Sequence, residues 1–212
     1  MEKVLDIYSK PYDPQYPVVS FDERPCQLIS NLIEPIAPTP GRNKRVDYQY
    51  KREGVCAVLM AIEPLKGKRI VQVVERRRKK EYTAFMESLV KSYPKAKKII
   101  LVQDNLNTHS PSSFYAHRDP DIAFKLMQQF EMIYTPRKAS WLNMVEIELA
   151  ALSKQCLDRR IGDIKTLSRE VNTWSRERTR NAVKISWEFT NDNAREKLNR
   201  HYQKIRVNDQ NL

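Results

Sequence analysis

Ile99-Ile100-Leu101-Val102-Gln103-Asp104-Asn105-Leu106-Asn107-Thr108-His109 is the stretch whose reading decides the fold. Four consecutive apolar residues, all but one β-branched, read as a strand buried on both faces, as at the centre of a mixed or parallel sheet. The run gives way to a polar cluster of Asp104, Asn105, Asn107, Thr108 and His109, with no glycine or proline before Pro111. In open α/β sheets chemistry collects just past the carboxyl ends of such strands, where side chains converge. A carboxylate placed there is held by the most rigid part of the fold and still faces solvent. Aspartate also commonly begins turns and caps helices, so partners elsewhere in the chain must decide the role of Asp104.

Val18-Val19-Ser20-Phe21 followed by Asp22, Glu23, Arg24 and Pro25 repeats the grammar of a β-branched run with an aspartate at its exit. Before it, residues 1–17 carry Pro11, Pro14 and Pro17 and read as an extended lead-in. Between Glu34 and Arg45, three prolines and Gly41 mark an irregular loop that carries Arg42, Lys44 and Arg45. Val55–Ile62 and Arg69–Val74 are apolar runs joined by a short turn, an antiparallel hairpin. Lys80–Tyr93 has helical periodicity and stops at Pro94, and a second helix covers about 120–130. Met132-Ile133-Tyr134 is a brief fifth strand.

After Trp141 the chain turns helical, with Val145, Leu149, Leu152 and Cys156 forming one stripe. Asp163 caps a further helix, and a last one is expected over about 192–204. This order predicts an α/β fold, a five-stranded mixed sheet flanked by helices. The expected units are the lead-in, a domain over 18–160, and a basic helical extension over 161–212 packed on it.

Thirty-eight Lys and Arg against 26 Asp and Glu give a net charge of +12, which favours a polyanionic partner, most simply nucleic acid. The charge is clustered: Lys66, Lys68, Arg69, Arg76, Arg77, Arg78, Lys79 and Lys80 face only Glu75 over fifteen residues. No apolar run approaches a membrane span, and no secretory signal opens the chain. Cys26, Cys56 and Cys156 are far apart, which supports neither a disulfide framework nor a zinc knuckle and fits a reducing cytoplasm.

A third carboxylate is offered by the helix after Trp141. On a helical wheel Glu146 lies about 100° to one side of the apolar stripe and Glu148 about 60° to the other, so periodicity alone leaves both open. Asn143 sits about 60° from Glu146 and about 140° from Glu148, which favours Glu146. Two strand-end aspartates and a helical glutamate are hard oxygen ligands. They suit Mg²⁺ or Mn²⁺ rather than zinc, and a pair of such ions could drive an in-line phosphodiester displacement.

The segments Val18 to Glu23, Leu101 to His109 and Tyr134 to Glu146 together resemble DDE transposases, most closely bacterial insertion-sequence enzymes of the mariner-like superfamily (insertion sequence 630 group). The resemblance covers about residues 15–205. It implies a ribonuclease-H-like, retroviral-integrase-like fold and metal-dependent DNA cleavage and strand transfer with two Mg²⁺, for which Mn²⁺ can substitute. Residue by residue, Asp22 and Asp104 match the family's aspartates and Glu146 the glutamate of its Asn-x-x-Glu signature. Asn105, Asn107, His109 and Asn143 are then candidates to orient the ligands or position DNA, while Trp141 reads as a core anchor. Expected partners are the element's DNA ends, target DNA and a second copy of the chain in the active complex. The expected location is the bacterial cytoplasm, at the nucleoid when bound to DNA.

The chain departs from the family pattern in places. Forty-one residues separate Asp104 from Glu146, longer than usual, and Met144 stands where the family has proline. Only 21 residues precede Asp22, so a helix-turn-helix half is expected to be lacking and DNA contacts to be made mainly with phosphates. A host ribonuclease-H-like nuclease and a non-catalytic DNA-binding remnant are the alternative readings.

The one-sided charge gives a test. Neutralising three of Arg76, Arg77, Arg78, Lys79 and Lys80 should weaken DNA binding about equally for all sequences. It should also flatten the salt dependence by roughly one slope unit per lost phosphate contact. An unchanged slope would mean that these charges only solvate the surface.

Overall fold

The computed structural model describes residues 1–200, 202 and 203. Its strands are β1 (Val18–Asn31), β2 (Tyr50–Glu63), β3 (Lys68–Val74), β4 (Ile99–Gln103) and β5 (Phe130–Tyr134). They form one sheet in the order β3-β2-β1-β4-β5. The β1–β2 and β2–β3 pairs are antiparallel, whereas β4 pairs in parallel with both β1 and β5. Every residue of β4 is buried, as its unbroken apolar run requires.

Helices α2 (Lys79–Lys91), α3 (Ser112–Tyr115) and α4 (Pro120–Gln128) cover one face, on a core of Val19, Phe21, Leu59, Phe85, Leu101 and Phe114. On the other face lie α5 (Val145–Gln155) and α6 (Ile164–Arg180), where Val58, Met60, Val145, Leu149, Leu152 and Val171 pack together. The period-2 alternation of β1, β2 and β4 divides their side chains between these faces. Helix α7 (Asn191–Lys197) comes next, and residues 199, 200, 202 and 203 beyond it are helical as well. The expected last helix ran to about 204; residues 201 and 204–212 lie outside the described residues. Among the described residues, no helix is long and apolar enough to cross a membrane.

Two expectations need correction. Residues 1–17 are not extended throughout: Glu2–Ser9 form helix α1, with Val4, Leu5 and Ile7 buried against Ile100, Val102 and Ile133. The prolines at 11, 14 and 17 act only after this helix has ended. Second, β1 does not stop at Asp22 but continues through Pro25 to Asn31. Its ladder with β4 covers only Val18–Ser20, so beyond Ser20 one side of β1 has no strand partner, and proline is tolerated there.

The two sides of α5 differ in what they meet. Glu148, in its first turn, is buried, with Oε2 2.6 Å from Arg69 Nε and Oε1 2.8 Å from Arg178 Nη2. Arg69 also donates to the carbonyl oxygens of Gly67 and Val183 at 2.6 and 2.7 Å. This network ties β3, α5, α6 and the segment after α6 together. Its guanidinium groups outweigh burial and hold the Glu148 carboxyl below its ordinary pKa.

Leaving such a charge unpaired is costly, so Glu148→Gln should destabilise the protein by about 3 kcal/mol or more in urea denaturation. Arg69→Met combined with Glu148→Leu should recover part of that loss. Unchanged stability in Glu148→Gln would show that the network does not hold the fold.

Candidate active site

Where β1 outruns β4, the sheet opens a notch. Val18 pairs with Ile100 and Ser20 with Val102; extended by two residues, that register puts Asp22 and Asp104 on the same face, and the two carboxylates are near enough to repel. Asp22 is therefore a mid-strand residue, exposed to the notch because its neighbour strand has ended.

Asp22 accepts a 2.8 Å hydrogen bond from the Glu23 N–H. It is largely buried, and Asp104, Glu23 and Glu146 all add their negative charge. Burial first, and then that repulsion, push its pKa up to about 7. Glu146 is exposed on the first turn of α5, while Glu148 points to Arg69 and Arg178 as described.

Asn143 is not on the helix. It follows a 3-10 turn (Ser140–Leu142) in extended backbone, so helical angles do not apply to it. It is nevertheless fully buried beside Asp22: Nδ2 donates to Phe21 O at 2.9 Å and to Asp22 Oδ2 at 3.3 Å. Its Oδ1 is buried and meets no hydrogen-bond donor among the described residues.

Asp104 lies just past β4. Its Oδ1 accepts from Leu106 N–H at 3.1 Å and lies 2.5 Å from His109 Nδ1. The His109 hydrogen bond is the main reason its carboxyl is held below the ordinary value, and the nearby Arg77 guanidinium adds to it. His109, read from the sequence only as a candidate, is buried under the sheet. It stacks on Tyr82 at 5.1 Å between ring centroids, and Nε2 lies 2.7 Å from Glu23 Oε2. Burial works against its charge, yet contacts with Asp104 and Glu23 prevail and raise its pKa to about 9.

The remaining candidates are spread out. Asn105 lines an open cleft of about 280 Å³ with Asp104, Leu106, Thr135, Arg137 and Lys138, whereas Asn107 is simply exposed. Arg42, Lys44 and Arg45 are exposed on the loop joining β1 and β2. Nine residues of strand separate Asp22 from that loop, up to about 30 Å, so they do not belong to the notch. In the other basic segment Arg78 pairs with Glu81 and Lys79 contacts Ser112, while Arg76, Arg77 and Lys80 are exposed. Arg69, counted in that cluster from sequence, is buried on Glu148 instead.

Trp141 is not a core anchor, since about half of its surface is exposed; its ring stacks on Trp187. Sequence reasoning gave Glu23 no role, and its place beside Asp22 in an Asp-Glu pair was the only signal.

Among the described residues, no three of His, Cys, Asp and Glu stand close enough together to hold a metal ion as they are. The donor chemistry nevertheless fits a hard divalent cation. Asp22 faces other carboxylates, Asn143 Oδ1 meets no donor among the described residues, and both are oxygen ligands of the kind Mg²⁺ and Mn²⁺ take.

The family model described as DDE superfamily endonuclease matches residues 17–168, and the chain belongs to that family. Its five-stranded mixed sheet flanked by helices is the ribonuclease-H-like fold of the Mos1 transposase. The chain is 14% identical to the protein in the Mos1 mariner paired-end complex with Mn, with a TM-score of 0.56 over 86% of this chain and 55% of that one. Against the Mos1 transposase paired-end complex with the left transposon end the values are 12%, 0.57, 86% and 56%. For the Mos1 strand transfer complex they are 13%, 0.55, 88% and 60%. The chain thus spans a little over half the length of these transposase chains. No match is found among curated proteins.

The raised pKa of Asp22 has a consequence for stability. A carboxyl with an unfolded pKa near 4 and a folded pKa of about 7 favours folding below pH 4, and that contribution is lost as pH rises through 7. In metal-free protein, Asp22→Asn should therefore stabilise at pH 8 by up to about 4 kcal/mol and have little effect at pH 4. Melts in chelator at the two pH values check this; an equal effect at both would refute the buried, repelled state of Asp22.

Proposed function

We propose that this chain is the catalytic domain of a DNA transposase, cutting DNA phosphodiester bonds and joining the cut ends to a target. The observation that supports the reading most is that Asp22 and Asp104 lie on neighbouring strands at the notch, with the Glu146 carboxylate near enough to add its charge to that of Asp22. The family match and the likeness to transposase–DNA complexes support it.

Asp22, Asp104 and Glu146 would hold Mg²⁺ or Mn²⁺, as a pair in the full reading. When bound, such ions lower the pKa of a water or 3′-hydroxyl and stabilise the charge on a leaving phosphate oxygen. The chain's own groups do the rest. Asn143 orients the Asp22 carboxylate, and burial keeps that carboxylate poorly hydrated and in need of a cation. Arg76, Arg77 and Lys80 attract the DNA backbone to the same end of the sheet, as exposed cations do without regard to sequence. Arg42, Lys44 and Arg45 offer a second backbone contact far along the duplex. Base-specific end recognition and pairing of two copies belong to the assembled transposase under this reading.

The test is nicking of a labelled duplex in Mg²⁺ and Mn²⁺, followed by strand transfer of a pre-cut end. Glu146→Gln, Asp22→Asn and Asp104→Asn should each abolish both reactions. Glu148→Gln, assayed at a temperature where it remains folded, should retain cleavage. Cleavage that survives Glu146→Gln and is lost in folded Glu148→Gln would move the third ligand to Glu148. Metal-dependent nicking without strand transfer would favour a ribonuclease-H-like nuclease instead.

A further inference from the structure

The β1–β4 ladder ends two residues before Asp22, so backbone hydrogen bonds do not fix the separation of Asp22 and Asp104. A side-chain bridge spans the gap instead. Glu23, adjacent to Asp22 on β1, reaches His109, and His109 reaches Asp104 at the exit of β4. The imidazole is 1% exposed and the Glu23 side chain 4%, against 38% for Asp104. A carboxylate at the edge of solvent is therefore held by a partner wholly inside the protein.

The imidazole itself has little freedom. Its ring stacks on Tyr82 and meets Phe21 edge-on, at centroid distances of 5.1 and 5.2 Å. The His109 carbonyl oxygen accepts from Gln103 Nε2 at 3.0 Å and from the Tyr134 hydroxyl at 2.9 Å. Gln103 is held in turn by the Tyr82 hydroxyl at 2.9 Å. Glu23 Oε2, 2.7 Å from Nε2, braces the ring from behind. On the other side both donors, Leu106 N–H and His109 Nδ1, take the same oxygen of Asp104, Oδ1. That leaves Oδ2.

We infer that His109, braced by Glu23, is a positioning residue that turns Asp104 Oδ1 inward and presents Oδ2 as the oxygen for a divalent cation. The inference rests on the metal-binding reading of the notch and assigns His109 a task within it. Groups that orient a metal's ligands commonly change affinity by about 10–100-fold when removed, which sets the scale of the expected effect.

Two amide substitutions separate the two ends of the bridge. In His109→Asn the amide nitrogen takes the place of Nδ1 and keeps the Asp104 contact. In His109→Gln it takes the place of Nε2 and keeps only the Glu23 side. Mn²⁺ affinity is read by electron paramagnetic resonance on the full chain, with circular dichroism melts confirming that each variant is folded. His109→Gln should weaken Mn²⁺ binding by about 10–100-fold, and His109→Asn by less than about threefold. Equal weakening by both, or none by either, would overturn the inference. Asp22→Asn serves as the control on the underlying reading. If it abolishes Mn²⁺ binding while His109→Gln does not weaken it, only the role of His109 fails; if Asp22→Asn leaves binding unchanged, the metal site itself fails.

Discussion

The pairing of Glu148 with Arg69 and Arg178 is the constraint on which the site depends. A buried carboxylate keeps its charge only where it is matched by opposite charge and hydrogen bonds; otherwise its pKa rises toward the neutral form. Here the match comes from β3 and α6, with backbone carbonyls of Gly67 and Val183 completing Arg69. The pairing fixes the rotation of α5 about its axis. Residues two apart on a helix point about 200° apart, so turning Glu148 toward β3 and α6 turns Glu146 toward the other side of α5. The apolar stripe of Val145, Leu149 and Leu152 settles the third direction by facing the sheet.

Glu148 and Asp22 show two opposite fates of a sequestered carboxylate. Glu148 sits between guanidinium groups and is held below its ordinary pKa. Asp22 faces other carboxylates and is pushed up to about 7. The first arrangement is satisfied within the chain and contributes to stability. The second has hydrogen bonds from Glu23 N–H and Asn143 but no cation beside it, and carboxylates shifted in this way cluster at functional sites. The exposed Arg76, Arg77 and Lys80 and the site carboxylates are likewise complementary. Under the proposed reading, a polyanion drawn by the former would be brought to the latter, whose own charge would otherwise repel it.

Much of this was legible in the sequence because local patterns encode it. The unbroken run at Ile99–Val102 announced a central strand, and the spacing of Val145, Leu149 and Leu152 announced the buried side of α5. What escaped was set by distant partners. The length of β1 depends on where β4 stops, so Pro25 read as an end when it was an edge. Glu148 could not be told from Glu146 because Arg69 and Arg178 lie far from it in the chain. The expectation that Asn143 shares a face with Glu146 assumed a helix that starts only at Val145; Asn143 reaches Asp22 from a 3-10 turn instead. His109 and Glu23 join only through the register of β1 and β4, which no periodicity reveals. Trp141 was read as core from its residue type alone.

Anomalous diffraction at the manganese edge from a Mn²⁺-soaked crystal tests the carboxylate assignment most directly. The expected result is a peak bounded by Asp22, Asp104 and Glu146, with Glu148 still held between Arg69 and Arg178. A peak on Glu148, or none at the notch while Mn²⁺ occupies another site, would contradict it.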